Sequence, residues 1–343
     1  MPNMSAKEWD RLLNFASMQG VLPIITPLFA NYETNNTQLR SVLVQWCAVS
    51  LQSAAKYKLR TNIMRELAKL FAEEDIDVMF IKGTTLAQLY PNPESRMFSD
   101  IDFFLFGKSD QGIKAMARHG IDNSEYYHHH TQASLNGVLL ENHYDFVERV
   151  NHKCDIILDD ALKDLAVKEG HSLQVDFLGD AISNAYQMTP TMNAIFLMRH
   201  MSAHFVSETV PLRMLYDWAL FLEKRGEDVD WPMVLKLYEE SGMMRFAEII
   251  QQMLLSHLSY QKRECPIAFG NVTDAEKVWQ SIVNPPVRDP HKKFTLRYYL
   301  FEAHTFFANR WKHKLVYPGE SFVGLFFKYV RHGVKMMVKK KAH

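Results

Sequence analysis

Apolar residues recur at helical spacing toward both ends of the chain and gather into short runs between them. Trp9, Leu12, Leu13 and Ala16 predict an amphipathic helix that breaks at Val21-Leu22-Pro23. Leu39 to Leu70 is periodic and free of Gly and Pro, which predicts one long helix or two joined ones. Near residue 77 the pattern changes. Val78-Met79-Phe80-Ile81 reads as a buried strand ending at Lys82-Gly83, and Thr84 or Thr85 can cap a short helix through Tyr90, stopped by Pro91 and Pro93. Ile101 to Phe106 is a second strand, ended by Gly107. Val138 to His143 is a third, placed after the turn dipeptide Asn136-Gly137. From Thr189-Pro190 the pattern is helical again, over Ala194–Phe205, Leu212–Lys224, Trp231–Glu240 and Met243–Leu258, and Asn284-Pro285-Pro286 reads as a linker or sharp turn. The expected architecture is α+β: a small mixed-sheet core over residues 76–185, an N-terminal helical segment over 1–75, and a C-terminal helical domain over 186–343.

Composition narrows the function classes. The chain has 343 residues, with 39 Lys+Arg against 39 Asp+Glu, so total charge does not indicate a nucleic-acid binder. No apolar run approaches the ~18–20 residues of a membrane-spanning helix. The first ten residues lack a basic stretch leading into an apolar core, so no signal peptide is expected. Cys47, Cys154 and Cys265 are odd in number and far apart, which fits a reducing cytoplasm better than a disulfide framework.

The chemistry concentrates in Lys82-Gly83-Thr84-Thr85 and in Arg96-x-x-x-Asp100-Ile101-Asp102. Side chains alternate along a strand, so Asp100 and Asp102 share a face. Two carboxylates that close repel unless a cation lies between them, and Mg²⁺ is the natural cation for oxygen ligands beside a phosphate. Glu141, on the third strand, can supply a third carboxylate. Asp145 is a competitor for that role, because the polar Asn142 interrupts the apolar strand pattern. Lys82 can neutralise phosphate charge or pair with a nearby carboxylate. Arg96 can reach phosphates or orient Asp100.

The block from Ile81-Lys82-Gly83 through Leu86-Ala87, Leu89-Tyr90-Pro91, Pro93 and Arg96 to Asp100-Ile101-Asp102 resembles the signature of the uncharacterised nucleotidyltransferases, a branch of the DNA polymerase β-like superfamily. Glu141-x-His143 is similar to that family's third-strand pattern. His200-x-x-x-His204 followed by Leu212-Arg213 and Asp217 is similar to its helical C-terminal signature, and Trp9 to Pro27 to its N-terminal helical segment. The resemblance implies a Mg²⁺-dependent transfer of a nucleoside monophosphate from an NTP, ATP by analogy with the superfamily, to a hydroxyl acceptor. Asp100, Asp102 and Glu141 would hold two ions. Lys82, Gly83, Thr84, Thr85 and Arg96 would bind the nucleotide. The alternative is a non-catalytic nucleotide- or metal-binding accessory protein in surface-polymer or peptide modification.

Other residues carry weaker expectations. His143, His200, His204, Arg213 and Asp217 are candidates for an interdomain seam or an acceptor site. His128-His129-His130 reads as a surface-loop cluster with adventitious metal affinity. Residues 322–341 combine Phe322, Leu325, Phe326 and Tyr329 with an all-basic charge set. That pattern fits an interfacial helix contacting anionic membrane, or a terminal helix docked on the body.

Overall fold

The computed structural model of the chain describes residues 4–29, 37–127, 129–149, 152–179, 181–260, 265–285 and 296–328. These divide into two compact units. The first comprises residues 1–146, 162–193 and 211–229; the second comprises 147–161, 194–210 and 230–343.

The first unit opens with helix α1 (Ala6–Met18), started by a capping box in which Ser5 and Glu8 each satisfy the other's backbone N–H. A short helix α2 (Leu22–Ile25) follows, and then α3 (Thr37–Ala72), a single 36-residue helix where the sequence allowed one or two. Trp9, Phe29 and Trp46 meet edge to face at 4.9–5.7 Å and anchor the early part of α3. The later part of α3 presents Ile63, Met64, Leu67 and Phe71 to one face of a sheet.

That sheet contains β1 (Val78–Ile81), β2 (Asp100–Phe104), β3 (Asn123–Tyr126), β4 (His130–Leu135), β5 (Val138–His143) and β6 (Ala185–Gln187). Among the described residues its order is β3-β4-β5-β2-β1-β6. β2 runs parallel to β5 and antiparallel to β1, and β1 runs parallel to β6, so the sheet is mixed as expected. Ile101 and Phe103 of β2, Val78 and Phe80 of β1 and Leu140 of β5 face α3, with Phe71 and Phe103 at 5.5 Å. The alternation then sends Asp100, Asp102, Glu141 and His143 to the opposite face. Asn142, the polar break in β5, lies on the α3 side and donates to the Ser109 carbonyl at 3.1 Å, so it leaves the strand register intact.

Three boundaries differ from expectation. β2 stops at Phe104 instead of Phe106, because Phe106 and Gly107 take φ of 49° and 85° and turn the chain. The helix after Lys82, α4, covers only Gly83–Ala87 and tightens into i→i−3 turns through Tyr90. His130 is not in a surface loop but begins β4 and is buried, and the half-buried His129 lies at the bend just before it. Next along the chain come α5 (Ser109–Arg118), α6 (Lys153–Glu169), α7 (Pro190–Ser207) and α8 (Leu212–Arg225).

The second unit holds α9 (Trp231–Ser241), α10 (Met244–Leu258), α11 (Val272–Val283), α12 (Leu296–Ala308) and α13 (Arg310–Val316). Buried Arg199 and Asp155 form an ion pair there, and Phe205 meets Phe246 and Trp311 at 5.5 and 5.4 Å. Residues 322–328 are helical; Leu325 is buried and Phe322 stacks on Phe306 at 4.6 Å. The basic remainder of the tail lies outside the described residues, as do Pro286 of the expected linker and His128. Among the described residues no helix is long and apolar enough to cross a membrane.

Candidate active site

The parallel pairing of β2 with β5 sets Asp102 directly beside Glu141, and the antiparallel β4 adds Gln132 opposite Glu141 and His130 opposite His143. Asp102, Glu141 and His143 each offer a ligand atom, all within 4.8 Å of one another. Asp102 is fully buried. Its Oδ1 meets Lys82 Nζ at 2.7 Å and His143 Nε2 at 3.0 Å, while its Oδ2 is buried with no hydrogen-bond partner. Burial alone would raise this carboxyl, but Lys82 and His143 hold it well below the usual carboxylate range. Gln132 donates to Glu141 Oε1 at 2.9 Å. Asp100 stands two residues before Asp102 on the same face, half-exposed.

Lys82 ends β1 with φ 51° and ψ −141°, a rare backbone for a side chain with a Cβ, and Gly83 follows at φ 46°. Such a conformation costs ~1–3 kcal/mol and persists where neighbours enforce it. Here the enforcing contacts are visible. Thr85 Oγ1 donates to the Lys82 carbonyl at 2.7 Å, and Arg96 Nη1 donates to the Gly83 carbonyl at 3.1 Å. Burial acts to lower the Lys82 ammonium, but the charges of Asp102 and Asp100 raise it overall. Thr84 is buried with its hydroxyl unpartnered.

Arg96 binds neither Asp100 nor open space. Its Nε and Nη2 donate to the two oxygens of Asp217 at 2.8 and 2.9 Å, a bidentate pair within the first unit. Tyr90 Oη donates to Asp217 Oδ1 at 2.7 Å, and Arg213 reaches Oδ2 at 3.4 Å. Burial raises Asp217, yet Arg96 and Arg213 outweigh it and the carboxyl is lowered. This network fastens α8 to the turn after β1, and Tyr90 is a member that sequence reading missed. His200 and His204 belong to the second unit, where their rings meet at 4.7 Å. Asp145, the rival third carboxylate, pairs with Lys163, and its backbone carbonyl faces His143 Nδ1 at 3.2 Å.

Glu141 is pushed up to about 8 by burial and by the charge of Asp102. Folded chain therefore holds a proton that unfolded chain releases near 4.5, and this contribution to stability is lost as pH rises through about 8. His129 and His130 are pushed down from 6.5 to about 2 and about 4, chiefly by burial, so their contribution is complete above 6.5 and lost on acidification. Between 6.5 and about 8, of these three groups only Glu141 titrates. Denaturant unfolding of metal-free protein across that window is expected to show wild type losing stability relative to Glu141→Gln. A difference that does not change with pH would refute the assignment.

A small mixed sheet with carboxylates on neighbouring parallel strands, and a glycine turn ending the strand beside them, has the architecture of a nucleotidyltransferase core with flanking helices. The chain belongs to the uncharacterised nucleotidyltransferase family, whose sequence model matches residues 5–257. Comparison with curated proteins and with solved structures gave no match.

Proposed function

We propose that this protein is a cytoplasmic transferase that passes a nucleoside monophosphate from an NTP, ATP by analogy with its superfamily, to a hydroxyl acceptor with release of pyrophosphate. The observation that carries this reading is Asp102: a fully buried carboxylate with one oxygen unpartnered, set beside Glu141 on the adjoining parallel strand. A buried acceptor atom without a donor is costly, and a hard divalent cation satisfies it. Oxygen donors from Asp100, Asp102 and Glu141 fit Mg²⁺. The chemistry that two such ions supply when bound is stabilisation of charge on the attacking and leaving oxygens.

The chain's own groups do the rest. Lys82 brings a positive charge beside the carboxylates. Gly83, Thr84 and Thr85 form the turn that admits the triphosphate, and the unpartnered Thr84 hydroxyl is a donor for it. Arg96 acts on that turn through the Gly83 carbonyl. Glu141 has two compatible roles, as a ligand of the second ion or as acceptor of the hydroxyl proton. Catalysis of this type rests on positioning and charge, with no covalent nucleophile. A weak anionic-membrane contact through residues 322–341 belongs to the same proposal.

One observation favours a second reading, a non-catalytic nucleotide- or metal-binding accessory protein: Lys82 already neutralises Asp102 without a metal. Thermal unfolding with each of the four NTPs, with Mg²⁺ or with EDTA, separates the cases. A ligand at about 100 times its Kd adds about 2.7 kcal/mol of stability. The expected result is a Mg²⁺-dependent shift with one NTP, lost in Asp100→Asn/Asp102→Asn. Binding without pyrophosphate release supports the accessory reading, and no shift with any NTP overturns the transferase reading and moves the accessory one ahead.

A further inference from the structure

We propose that His129, His130 and His143 bind one late-transition dication of the Zn²⁺ class, at an imidazole site that shares only His143 with the neighbouring Asp102–Glu141–His143 group. Their ring nitrogens lie within 4.8 Å of one another. The rings pack at 4.4 Å (His129–His130), 5.4 Å (His129–His143) and 5.2 Å (His130–His143). The backbone holds this arrangement in advance. His130 and His143 are register partners across β4 and β5. The His129 carbonyl accepts the Tyr144 and Asp145 N–H groups at 3.0 and 3.1 Å, and Tyr127 N–H donates to the His130 carbonyl at 2.8 Å.

Two further observations point to a ligand. Nδ1 of His129 and Nδ1 of His130 are buried without hydrogen-bond partners, and His130 is only 7% exposed. A buried ring nitrogen left unpaired is an exception that calls for an ion or a donor. His143, by contrast, has an outer partner. Its Nδ1 faces the Asp145 carbonyl at 3.2 Å, and a backbone carbonyl there holds the ring in place. Its Nε2 faces Asp102 Oδ1 at 3.0 Å, where a proton or a cation satisfies both atoms.

Imidazole donors select Zn²⁺, Co²⁺, Ni²⁺ or Cu²⁺, whereas Mg²⁺ demands oxygen. His143 is common to both donor sets, so filling one alters the charge seen by the other. The inference does not depend on turnover or on nucleotide binding.

The test uses full-length protein stripped with EDTA and titrated with Co²⁺ as a spectroscopic stand-in. Wild type is expected to develop the visible absorption of a nitrogen-bound ion at one equivalent. Zn²⁺ should abolish that absorption, and excess Mg²⁺ should not. His129→Ala and His130→Ala should each weaken binding by at least about 100-fold, the upper end of the effect seen for outer-shell changes. Thermal unfolding of the metal-free variants checks their fold, and half-buried His129 provides the decisive variant if His130→Ala does not fold. Asp100→Asn should keep the Co²⁺ spectrum while losing nucleotide-dependent stabilisation, which separates this site from the proposed function. No absorption in wild type, unchanged affinity in His129→Ala, or displacement by Mg²⁺ would each overturn the site.

Discussion

Asp217→Ala will destabilise the protein by about 3–5 kcal/mol, the range for removing one partner of a buried ion pair. Asp217 and Arg96 are 4% and 3% exposed, and Asp217 is the counter-charge for Arg96 and Arg213 and the acceptor for Tyr90. Without it the buried Arg96 guanidinium and the partly buried Arg213 guanidinium face one carboxylate fewer, and a buried phenol loses its acceptor. Asp217→Asn should cost less, since an amide oxygen still accepts from Tyr90 or Arg96. A double replacement, Arg96→Met with Asp217→Leu, should cost less than the sum of the single changes, because no charge is then stranded. The acid limb offers an independent check. Asp217 has a lowered folded-state pKa, so its stabilisation is present above the ordinary carboxylate pKa of 3.8 and lost as pH falls below it. Asp217→Ala should therefore unfold with a shallower acid dependence than wild type. Equal stability of Asp217→Ala and wild type at neutral pH would show that the network contributes nothing.

The reach of this network explains why it was invisible in the sequence. Arg96 and Asp217 are 121 residues apart, and no local spacing announces a pair that only tertiary packing creates. The candidates nearest to Arg96 in sequence, Asp100 and the phosphate turn, were the natural reading. By contrast, the strands carrying the carboxylates were legible because each obeys a local rule. Val78–Ile81 is continuously apolar and buried, Asn136-Gly137 takes positive φ as a tight hairpin requires, and Val138–His143 follows it. β4 was missed because His130-Thr131-Gln132-Ala133-Ser134-Leu135 has almost no apolar alternation: His130 and Gln132 face the site, and on the other face only Ala133 and Leu135 are apolar. The hairpin turn nevertheless held the information. Counting back from Asn136-Gly137 brings Gln132 opposite Glu141 and His130 opposite His143, so register arithmetic alone could have moved His130 out of a loop and into the site. β6 escaped for a different reason: three residues paired in parallel with β1 need a long crossover that no local pattern marks.

On the proposed function, Asp102→Asn will reduce transfer by about 10²–10³-fold, in line with the loss of one preorganised charge-stabilising group. The substitution keeps the shape of the side chain and removes only its charge. Oδ1 would still be an acceptor for Lys82 or His143, but the unpartnered position that fits a cation would carry an amide. Two consequences distinguish a missing ligand from a damaged fold. In EDTA, Asp102→Asn should be less stable than wild type, because the mostly buried Lys82 ammonium loses the charge of its 2.7 Å partner. With Mg²⁺ and the cognate NTP, wild type should gain stability and the variant should gain none. The third carboxylate is assigned by the same logic. Glu141→Gln should fall with Asp102→Asn, since Glu141 stands beside Asp102 in register, whereas Asp145→Asn should keep turnover near wild type, since that carboxylate is occupied by Lys163. The reverse order, with Asp145→Asn inactive and Glu141→Gln active, would move the third ligand off β5 and onto the loop beyond it. Glu141 would then be a neutral hydrogen-bonding partner of Asp102, consistent with its raised pKa, and no longer part of the metal-binding set.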